Sequence, residues 1–219
     1  MNAGESVFEG HKIKPEREND LRDGGYLRQM PADFPLLHEL FADGTFPFEV
    51  ELGCGKGKFI LARAAETPER NFLAVDYARK WMNVGIERGL KRQLGNVRFV
   101  HANAVVLVKD YLPDSSVNVF HVYFPDPWPK TRHKKRRLLN SSFFDLLHSK
   151  LVPGGAVEIA TDQKDYFEQI WEDISASARE WAIVRKSVNE RLFCPEIRTN
   201  YEIKYAAQGR PLYYVEFVK

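Results

Sequence analysis

The 219-residue chain has few of the features that mark several large classes of protein. It contains only two cysteines, Cys54 and Cys194, too few for a disulfide framework or a zinc site. The cysteine count alone is compatible with one disulfide between them, and we treat both as reduced thiols. No apolar run approaches the roughly 18 residues of a membrane span, and residues 1–20 are hydrophilic with no apolar signal core. We therefore expect a cytoplasmic protein.

An excess of charge of one sign is also missing. The 32 lysines and arginines against 30 acidic residues leave a formal net charge of +2, with an isoelectric point near 8.4. A uniformly basic nucleic-acid binder would have an isoelectric point above about 9. Any case for nucleic acid must therefore rest on local clustering of basic residues. The length corresponds to one domain with additions.

Hydrophobic periodicity alternates along the chain between strand-like runs and helical spacing, which predicts an α/β fold with a parallel, right-handed crossover sheet. The strand-like runs are Phe48–Leu52, Asn71–Val75, Val97–Val100, Val117–Phe124 and Ala156–Ala160. Helical spacing covers Phe59–Ala65, Tyr77–Leu94, Leu138–Leu151 and Tyr166–Ala178.

The two ends of the chain depart from this alternation. Trp181–Lys186 and Leu212–Val218 are strand-like with no helix pattern between them, which predicts an antiparallel hairpin at one edge of a seven-stranded sheet. Residues 1–30 carry many charges and few apolar anchors. We expect a flexible charged arm there and a single domain over residues 31–219.

A glycine-rich turn stands where the first strand passes into the first helix. Residues 51–57 read E-L-G-C-G-K-G, which includes Glu51, Gly53, Gly55 and Gly57. Glycines allow a tight turn and let a ligand lie against the backbone, near the switch point where open parallel sheets bind ligands. The same glycines could serve only to let the helix and the strand pack closely.

Acidic residues near this turn indicate which ligand it binds. Asp76, 25 residues after Glu51, stands where a carboxylate accepts the ribose hydroxyls of an adenosine. Glu51 would repel the pyrophosphate of NAD but suits the ammonium and sulfonium of S-adenosylmethionine. The spacing G-x-G-x-G, with Lys58 in place of a third dinucleotide glycine, also argues against NAD. Asn103 follows the third strand, where its oxygen could accept from the adenine amine or serve an ordinary turn.

The fourth strand runs into a proline-rich segment and then into a basic one. Residues 124–130 read F-P-D-P-W-P-K, and the prolines hold Asp126 on a stiff, extended platform. A loop stiffened by prolines, with Trp128 filling space, is the simpler alternative. Residues 130–137 carry six lysines or arginines in eight positions, which indicates contact with a phosphate backbone rather than a solvated surface run. These basic residues are Lys130, Arg132, Lys134, Lys135, Arg136 and Arg137.

Together these segments resemble the bacterial tRNA (guanine-N7)-methyltransferase family. The resemblance extends over about residues 49–217, with further matches at 160–162 (A-T-D) and 199–202 (T-N-Y-E). It implies a Rossmann-like class I methyltransferase fold and transfer of methyl from S-adenosylmethionine to N7 of the variable-loop guanine of tRNA. Family members often have Asp at position 103 and usually Glu at position 76, but Asn and Asp keep an acceptor oxygen there.

The resemblance also implies roles for single residues. The cofactor-contacting positions correspond to Glu51, Asp76, Asn103 and Asp126, and Asp126 is also the catalytic position. The substrate-contacting positions correspond to Lys130, Asp162, Thr199, Asn200, Tyr201 and Glu202. No metal is implied, and the sequence leaves a monomer and a homodimer open.

Guanine N7 carries an in-plane lone pair and no proton, so Asp126 would position the base and face its developing positive charge rather than act as a general base. Two other functions stay open. The Asp126-Pro127-Trp128 segment also resembles the motif of methyltransferases that modify exocyclic amines of nucleic acids. The fold could alternatively serve a non-catalytic RNA-binding protein.

Overall fold

The computed structural model describes Tyr26–Leu27 and residues 40–219. Within these ranges the strands are β1 Tyr26–Leu27, β2 Phe48–Leu52, β3 Asn71–Asp76, β4 Val97–His101, β5 Val117–Tyr123, β6 Leu151–Thr161, β7 Ala182–Val188 and β8 Tyr213–Val218. The helices are α1 Lys58–Glu66, α2 Arg79–Lys91, α3 Ala104–Asp110, α4 Ser141–Lys150, α5 Lys164–Ser175 and α6 Asn200–Ala207. A 3-10 helix spans Thr131–Arg136.

All strands join one sheet in the order β1-β4-β3-β2-β5-β6-β8-β7. Pairing is parallel from β1 to β6, and β8 runs antiparallel to both β6 and β7. The predicted seven-stranded α/β sheet with an antiparallel C-terminal pair is confirmed as β2 to β8. The short β1 adds an eighth strand, with Tyr26 opposite Phe99. The rest of the predicted arm over residues 1–30 lies outside the described residues.

Two of the helices carry no clear hydrophobic stripe in the sequence. The expectation of no helix between the last two strands is wrong, because α6 lies there. Its only fully buried side chain is that of Glu202, so the helix follows from its N-terminal capping rather than from an apolar face. The seven-residue α3 likewise begins at an Asn103 cap and is too short to repeat an apolar pattern.

Alternating side chains place two hydrophobic cores on opposite faces of the sheet. On β3, Leu73 and Val75 belong to the core that contains residues of α3, α4 and α5. Phe72 and Ala74 belong to the other core, which contains residues of α1 and α2. Helices therefore cover both faces, as a mostly parallel sheet requires. No helix in the described part of the chain is long and apolar enough to span a bilayer.

The strand order reverses direction at β2. The chain passes from β2 outward to β3 and β4, then returns to the other side of β2 as β5 and continues to β6. Crossover helices leave a crevice at such a switch point, outside the carboxyl ends of the strands. The loops that follow β2, β3, β4 and β5 meet at this edge, and they carry Glu51, Asp76, Asn103 and Asp126 at or just beyond the strand ends.

We expect Gly85→Ala to destabilise the fold, because a Cβ on this α2 residue would lie 2.8 Å from Cε1 of the buried Phe99 ring. Overpacking costs about 1–3 kcal/mol, which exceeds the roughly 1 kcal/mol that alanine gains over glycine in a helix. The melting temperature should fall by about 2–8 °C.

Gly95→Ala is the matched control for this substitution. A Cβ at Gly95 meets no atom within 4 Å, so its melting temperature should stay near that of the wild type. Equal melting temperatures for the two variants would contradict the close packing of α2 on Phe99.

Candidate functional site

The glycine turn between β2 and α1 combines an open surface with one packed position. Gly53, Gly55 and Gly57 have φ values of 89°, 52° and 65°, in the left-handed region that favours glycine. A Cβ at Gly53 or Gly55 would meet no atom within 4 Å, whereas one at Gly57 would lie 3.1 Å from the Phe99 ring. The first two glycines therefore leave room for a ligand, and the third allows close packing.

Glu51 places a carboxyl group under this turn, and one of its two oxygens has no partner. The residue is 4% exposed, and its Oε2 atom accepts no hydrogen bond from any described residue. Burial raises the pKa of Glu51 to about 8, against the opposing charges of His121 and Arg191 and with a further contribution from Asp76. A cation brought next to Glu51 would supply the missing partner and favour its ionised form.

Asp76 connects the end of β3 to the glycine turn. Its Oδ2 atom accepts a hydrogen bond from the Gly55 amide at 2.7 Å, and Oδ1 accepts one from the Ala78 amide at 2.6 Å. Each carboxylate oxygen has a second lone pair, so both can accept again from a ligand. Asp76 therefore fixes the turn, while its contact to a ribose stays a prediction.

Asn103 serves as the N-cap of α3. Its Oδ1 atom accepts hydrogen bonds from the amides of Val105 and Val106 at 2.9 and 3.3 Å. Both lone-pair directions of the oxygen that was predicted to meet an adenine amine are thus in use. What the exposed Asn103 offers a ligand is its amide N–H donors.

The loop after β5 is turned more sharply than its prolines predict. Phe124 and Trp128 have φ values of 53° and 41°, conformations that are uncommon for bulky residues and typical of functional sites. The segment that was predicted to be an extended platform is therefore bounded by a sharp turn on each side. Between these residues Asp126 is exposed, and its carboxylate accepts no hydrogen bond from the described residues. The carboxylate is accessible to a substrate.

Arg137 anchors this loop from inside the protein. Its Nε atom donates to the Pro127 carbonyl at 2.8 Å, and its Nη atoms donate to Gln169 and Asp165 at 2.7 and 2.6 Å. The guanidinium also lies over the Tyr166 ring, and the side chain is 0% exposed. All three guanidinium nitrogens of Arg137 therefore have partners inside the protein, so an RNA contact would need one of these bonds to open, and that contact stays a prediction.

The rest of the basic segment forms the surface of the 3-10 helix. Arg132, Lys135 and Arg136 are exposed, and the guanidinium of Arg136 lies 5.1 Å from the Trp128 ring centroid. Lys134 forms an ion pair with Asp165, at an Nζ to Oδ2 distance of 3.2 Å. Lys130, directly before this helix, is also exposed.

Two of the predicted substrate residues at the start of α6 are buried. Thr199 and Glu202 form a capping box, in which the Thr199 amide donates to Glu202 Oε2 and the Glu202 amide donates to Thr199 Oγ1. Glu202 Oε1 also accepts from Arg191 and from the Tyr214 hydroxyl. Both oxygens are engaged and 1% of the residue is exposed, so a substrate contact by Glu202 would need one of these bonds to open, and the contact stays a prediction.

The other predicted substrate residues differ in accessibility. Asn200 is exposed, and Tyr201 is 51% exposed with its ring centroid 6.0 Å from that of Phe124, on the Asp126 loop. Asp162 has only 7% of its side chain exposed and accepts a hydrogen bond from Arg210 at 2.7 Å. No group of His, Cys, Asp and Glu side chains within residues 26–27 and 40–219 is arranged to hold a metal ion.

A row of buried polar side chains beneath α1 was not predicted. Glu51, His121, Glu158 and Glu216 are register neighbours across β2, β5, β6 and β8. The nitrogens Nδ1 and Nε2 of His121 lie 2.9 Å from the carboxylates of Glu158 and Glu49. Along β2, Glu49 and Glu51 alternate with Val50 and Leu52. This alternation indicates that the two glutamates point to the same face of the sheet.

The charges of this row support one another. Burial alone would lower the pKa of His121, but the carboxylates of Glu158 and Glu49 outweigh it and raise this pKa to about 9. Burial would raise the pKa of Glu49, but His121 and Arg63 outweigh it and lower this pKa to about 2. A charged imidazolium is therefore held between carboxylates, directly beside Glu51.

The Rossmann-like order of the sheet and its C-terminal antiparallel pair are those of the methyltransferase fold. The crystal structure of the 16S rRNA methyltransferase KamB has this fold, with a TM-score of 0.58 at 15% identity over 78% of this chain and 87% of that one. Residues 46–215 match the family described as "Putative methyltransferase".

Curated relatives define the family more closely. The chain is 35% identical to the tRNA (guanine-N(7)-)-methyltransferase of Lactobacillus johnsonii, over 83% of this chain and 85% of the relative. It is 34% identical to the enzyme of the same name from Halorhodospira halophila, over 84% and 80%. The chain belongs to the tRNA (guanine-N7)-methyltransferase family.

Proposed function

We propose that this protein transfers the methyl group of S-adenosylmethionine to N7 of the variable-loop guanine in tRNA. The names of its relatives support the reaction and the substrate. The observation that carries the proposal is the unpartnered Oε2 atom of the buried Glu51 under an open glycine turn, at the sheet edge from which the loop of the exposed Asp126 extends.

The residues around the turn fit S-adenosylmethionine, which supplies an electrophilic methyl group when bound. Glu51 suits an ammonium or sulfonium because its buried oxygen has no other partner, and it would repel a pyrophosphate. Gly53 and Gly55 offer open backbone. Asp76 would accept from the ribose hydroxyls, and Asn103 would reach the adenine through its amide N–H groups.

Asp126 acts on the guanine by position and charge. N7 has no proton to lose, so the site needs no general base, and the methylated purine becomes cationic. An exposed carboxylate can accept hydrogen bonds from the N–H groups of the guanine edge and can face the developing positive charge. Tyr201 stands beside this loop with its ring half exposed, suited to stack on a base extruded from the RNA.

The basic surface formed by Lys130, Arg132, Lys135 and Arg136 would hold the RNA backbone during extrusion. These side chains are exposed and directly follow the Asp126 loop along the chain. The cytoplasmic location and the choice between a monomer and a dimer stay predictions.

Incubation with labelled S-adenosylmethionine and unmodified tRNA, followed by nucleoside analysis, tests the proposal. We expect 7-methylguanosine as the labelled product. Label in N6-methyladenine or N4-methylcytosine would replace the proposal with an exocyclic-amine methyltransferase. Binding of tRNA with no label transfer would indicate the non-catalytic RNA-binding protein.

We expect Asp126→Ala to reduce kcat about 10²–10³-fold, the range found when one preorganised electrostatic contact is removed. Asp126→Asn keeps an acceptor but loses the charge, so its activity should fall between those of the wild type and Asp126→Ala. Cofactor affinity, measured by titration, should stay near normal in both.

The matched control is Asp110→Ala, which removes an exposed carboxylate at the end of α3, at the opposite edge of the sheet. It should retain wild-type turnover. Wild-type turnover in Asp126→Ala would remove Asp126 from the mechanism.

Cofactor binding should release close to one proton at pH 7. Because the pKa of Glu51 is about 8 in the free protein, its carboxyl is mostly protonated at pH 7, and a cationic ligand should drive its ionisation. Affinity should therefore rise with pH up to about 8. Calorimetric titrations in buffers of different ionisation enthalpy measure the released proton.

Glu51→Gln provides the comparison, because it keeps the shape of the side chain and cannot ionise. It should bind S-adenosylmethionine more weakly and release no proton. Identical apparent binding enthalpies for the wild type in all buffers would rule out the assigned role of Glu51.

We expect Lys135→Ala to lower the slope of log affinity for tRNA against log salt by about one unit, because one phosphate contact is lost. The matched control, Lys91→Ala, removes an exposed charge at the end of α2, on the opposite edge of the sheet, and should leave the slope unchanged. Equal slopes in the two variants would exclude Lys135 from the RNA interface.

A further inference from the structure

A cavity lies beside α6. It has a volume of about 240 Å³ and is bordered by the segment after β7, by one face of α6 with the residues that flank it, and by the start of β8. The charged residues that line it are Arg191, Arg198, Arg210 and Glu202. None of the proposed cofactor-binding residues lines it.

Arg191 lines this cavity and has one unsatisfied donor. Its side chain is 4% exposed. Its Nε atom donates to the carbonyls of Phe193 and Cys194, and Nη1 donates to Glu202. The remaining nitrogen, Nη2, is buried and has no hydrogen-bond partner among the described residues. Because an unpaired buried donor is costly, this atom indicates a ligand that accepts hydrogen bonds.

The lining of the cavity has a net charge of +2, from three arginines and one glutamate. The carboxylate of Glu202 is already engaged by Arg191, the Thr199 amide and the Tyr214 hydroxyl. Arg198 is exposed and has no charged or hydrogen-bonding partner in the described part of the chain. Guanidinium groups around one space suit an oxygen-rich anion, and arginine forks match phosphate geometry.

The position of α6 connects this cavity to the Asp126 loop. The rings of Tyr201 and Tyr205 contact that of Phe124, with centroids 6.0 and 5.7 Å apart. The cavity runs along another face of the same helix, lined by Arg198 before its first residue, by Glu202 and Ala206 within it and by Gly209 after its last. One two-turn helix thus has the cavity on one face and the aromatic contact with the Asp126 loop on another.

We propose that this cavity binds a phosphate group of the tRNA backbone, as an anchor separate from the basic 3-10 helix. The inference rests on the proposed tRNA substrate. Arg198 makes the main phosphate contact from the rim, and Arg191 Nη2 donates a hydrogen bond to an inner phosphate oxygen. The cavity volume is about eight times that of a liquid water molecule, so it admits a phosphate group with bridging waters.

The test is tRNA binding by Arg198→Ala as a function of salt, without any methyl transfer. Loss of one phosphate contact should lower the salt slope by about one unit and weaken binding at moderate salt. Arg198→Lys keeps the charge and should restore the slope. The matched control Arg179→Ala removes an exposed guanidinium after α5, at the opposite edge of the sheet, and should behave as the wild type.

A second arm identifies the source of the phosphate. At constant ionic strength, inorganic phosphate should compete with tRNA for the wild type more strongly than for Arg198→Ala. If Arg198→Ala keeps the wild-type slope, the inference is overturned. This holds even if inorganic phosphate alone raises the melting temperature of the wild type, because such binding would not involve tRNA. Wild-type protein that binds and methylates tRNA leaves the proposed function intact in that case, whereas wild-type protein that binds no tRNA overturns both.

Discussion

Parallel pairing of β2 with both β3 and β5 is the constraint on which the rest of the structure depends. It sets Glu51 opposite Ala74 on one side and His121 on the other. Because all three strands point the same way, their following loops leave the sheet at one edge. A tight glycine turn, the Asp76 carboxylate and the Asp126 loop meet there, although they are far apart in the chain. A sheet in any other order would scatter these groups.

Two buried ionisable groups lie under this edge, and they differ in how completely the protein pairs them. His121 is enclosed by Glu49 and Glu158, so its positive charge is compensated within the protein and stabilises the central strands. Glu51 lies next in the same row but keeps an oxygen without a partner. The protein thus pairs His121 with its own carboxylates and leaves one carboxyl oxygen of Glu51 without a partner. This difference matters because an unpaired polar or charged group costs the most folding free energy where water is absent.

Buried hydrogen bonds and ion pairs hold the exposed parts of the site in place. Arg137, at the end of the basic segment, holds the Asp126 loop to α5 through Pro127 and Asp165. The capping box of α6 and its link to Arg191 hold Tyr201 near the same loop. Buried ionic contacts therefore position exposed groups that can meet RNA. Basic residues adjacent in sequence thus divide between an internal anchor, Arg137, and an exposed basic surface.

The sequence alone determined the alternation of strands and helices, the glycine turn, the acidic residues after each strand and the family, because these depend on local periodicity and short motifs. Tertiary structure decided what each charged side chain does. Arg137 and Glu202 look like substrate ligands in a motif, yet packing against α5 and β8 buries them. The partners of His121 come from β2 and β6, and no local pattern specifies them. Burial and pairing depend on strands that are distant in the chain, so only the folded sheet fixes them.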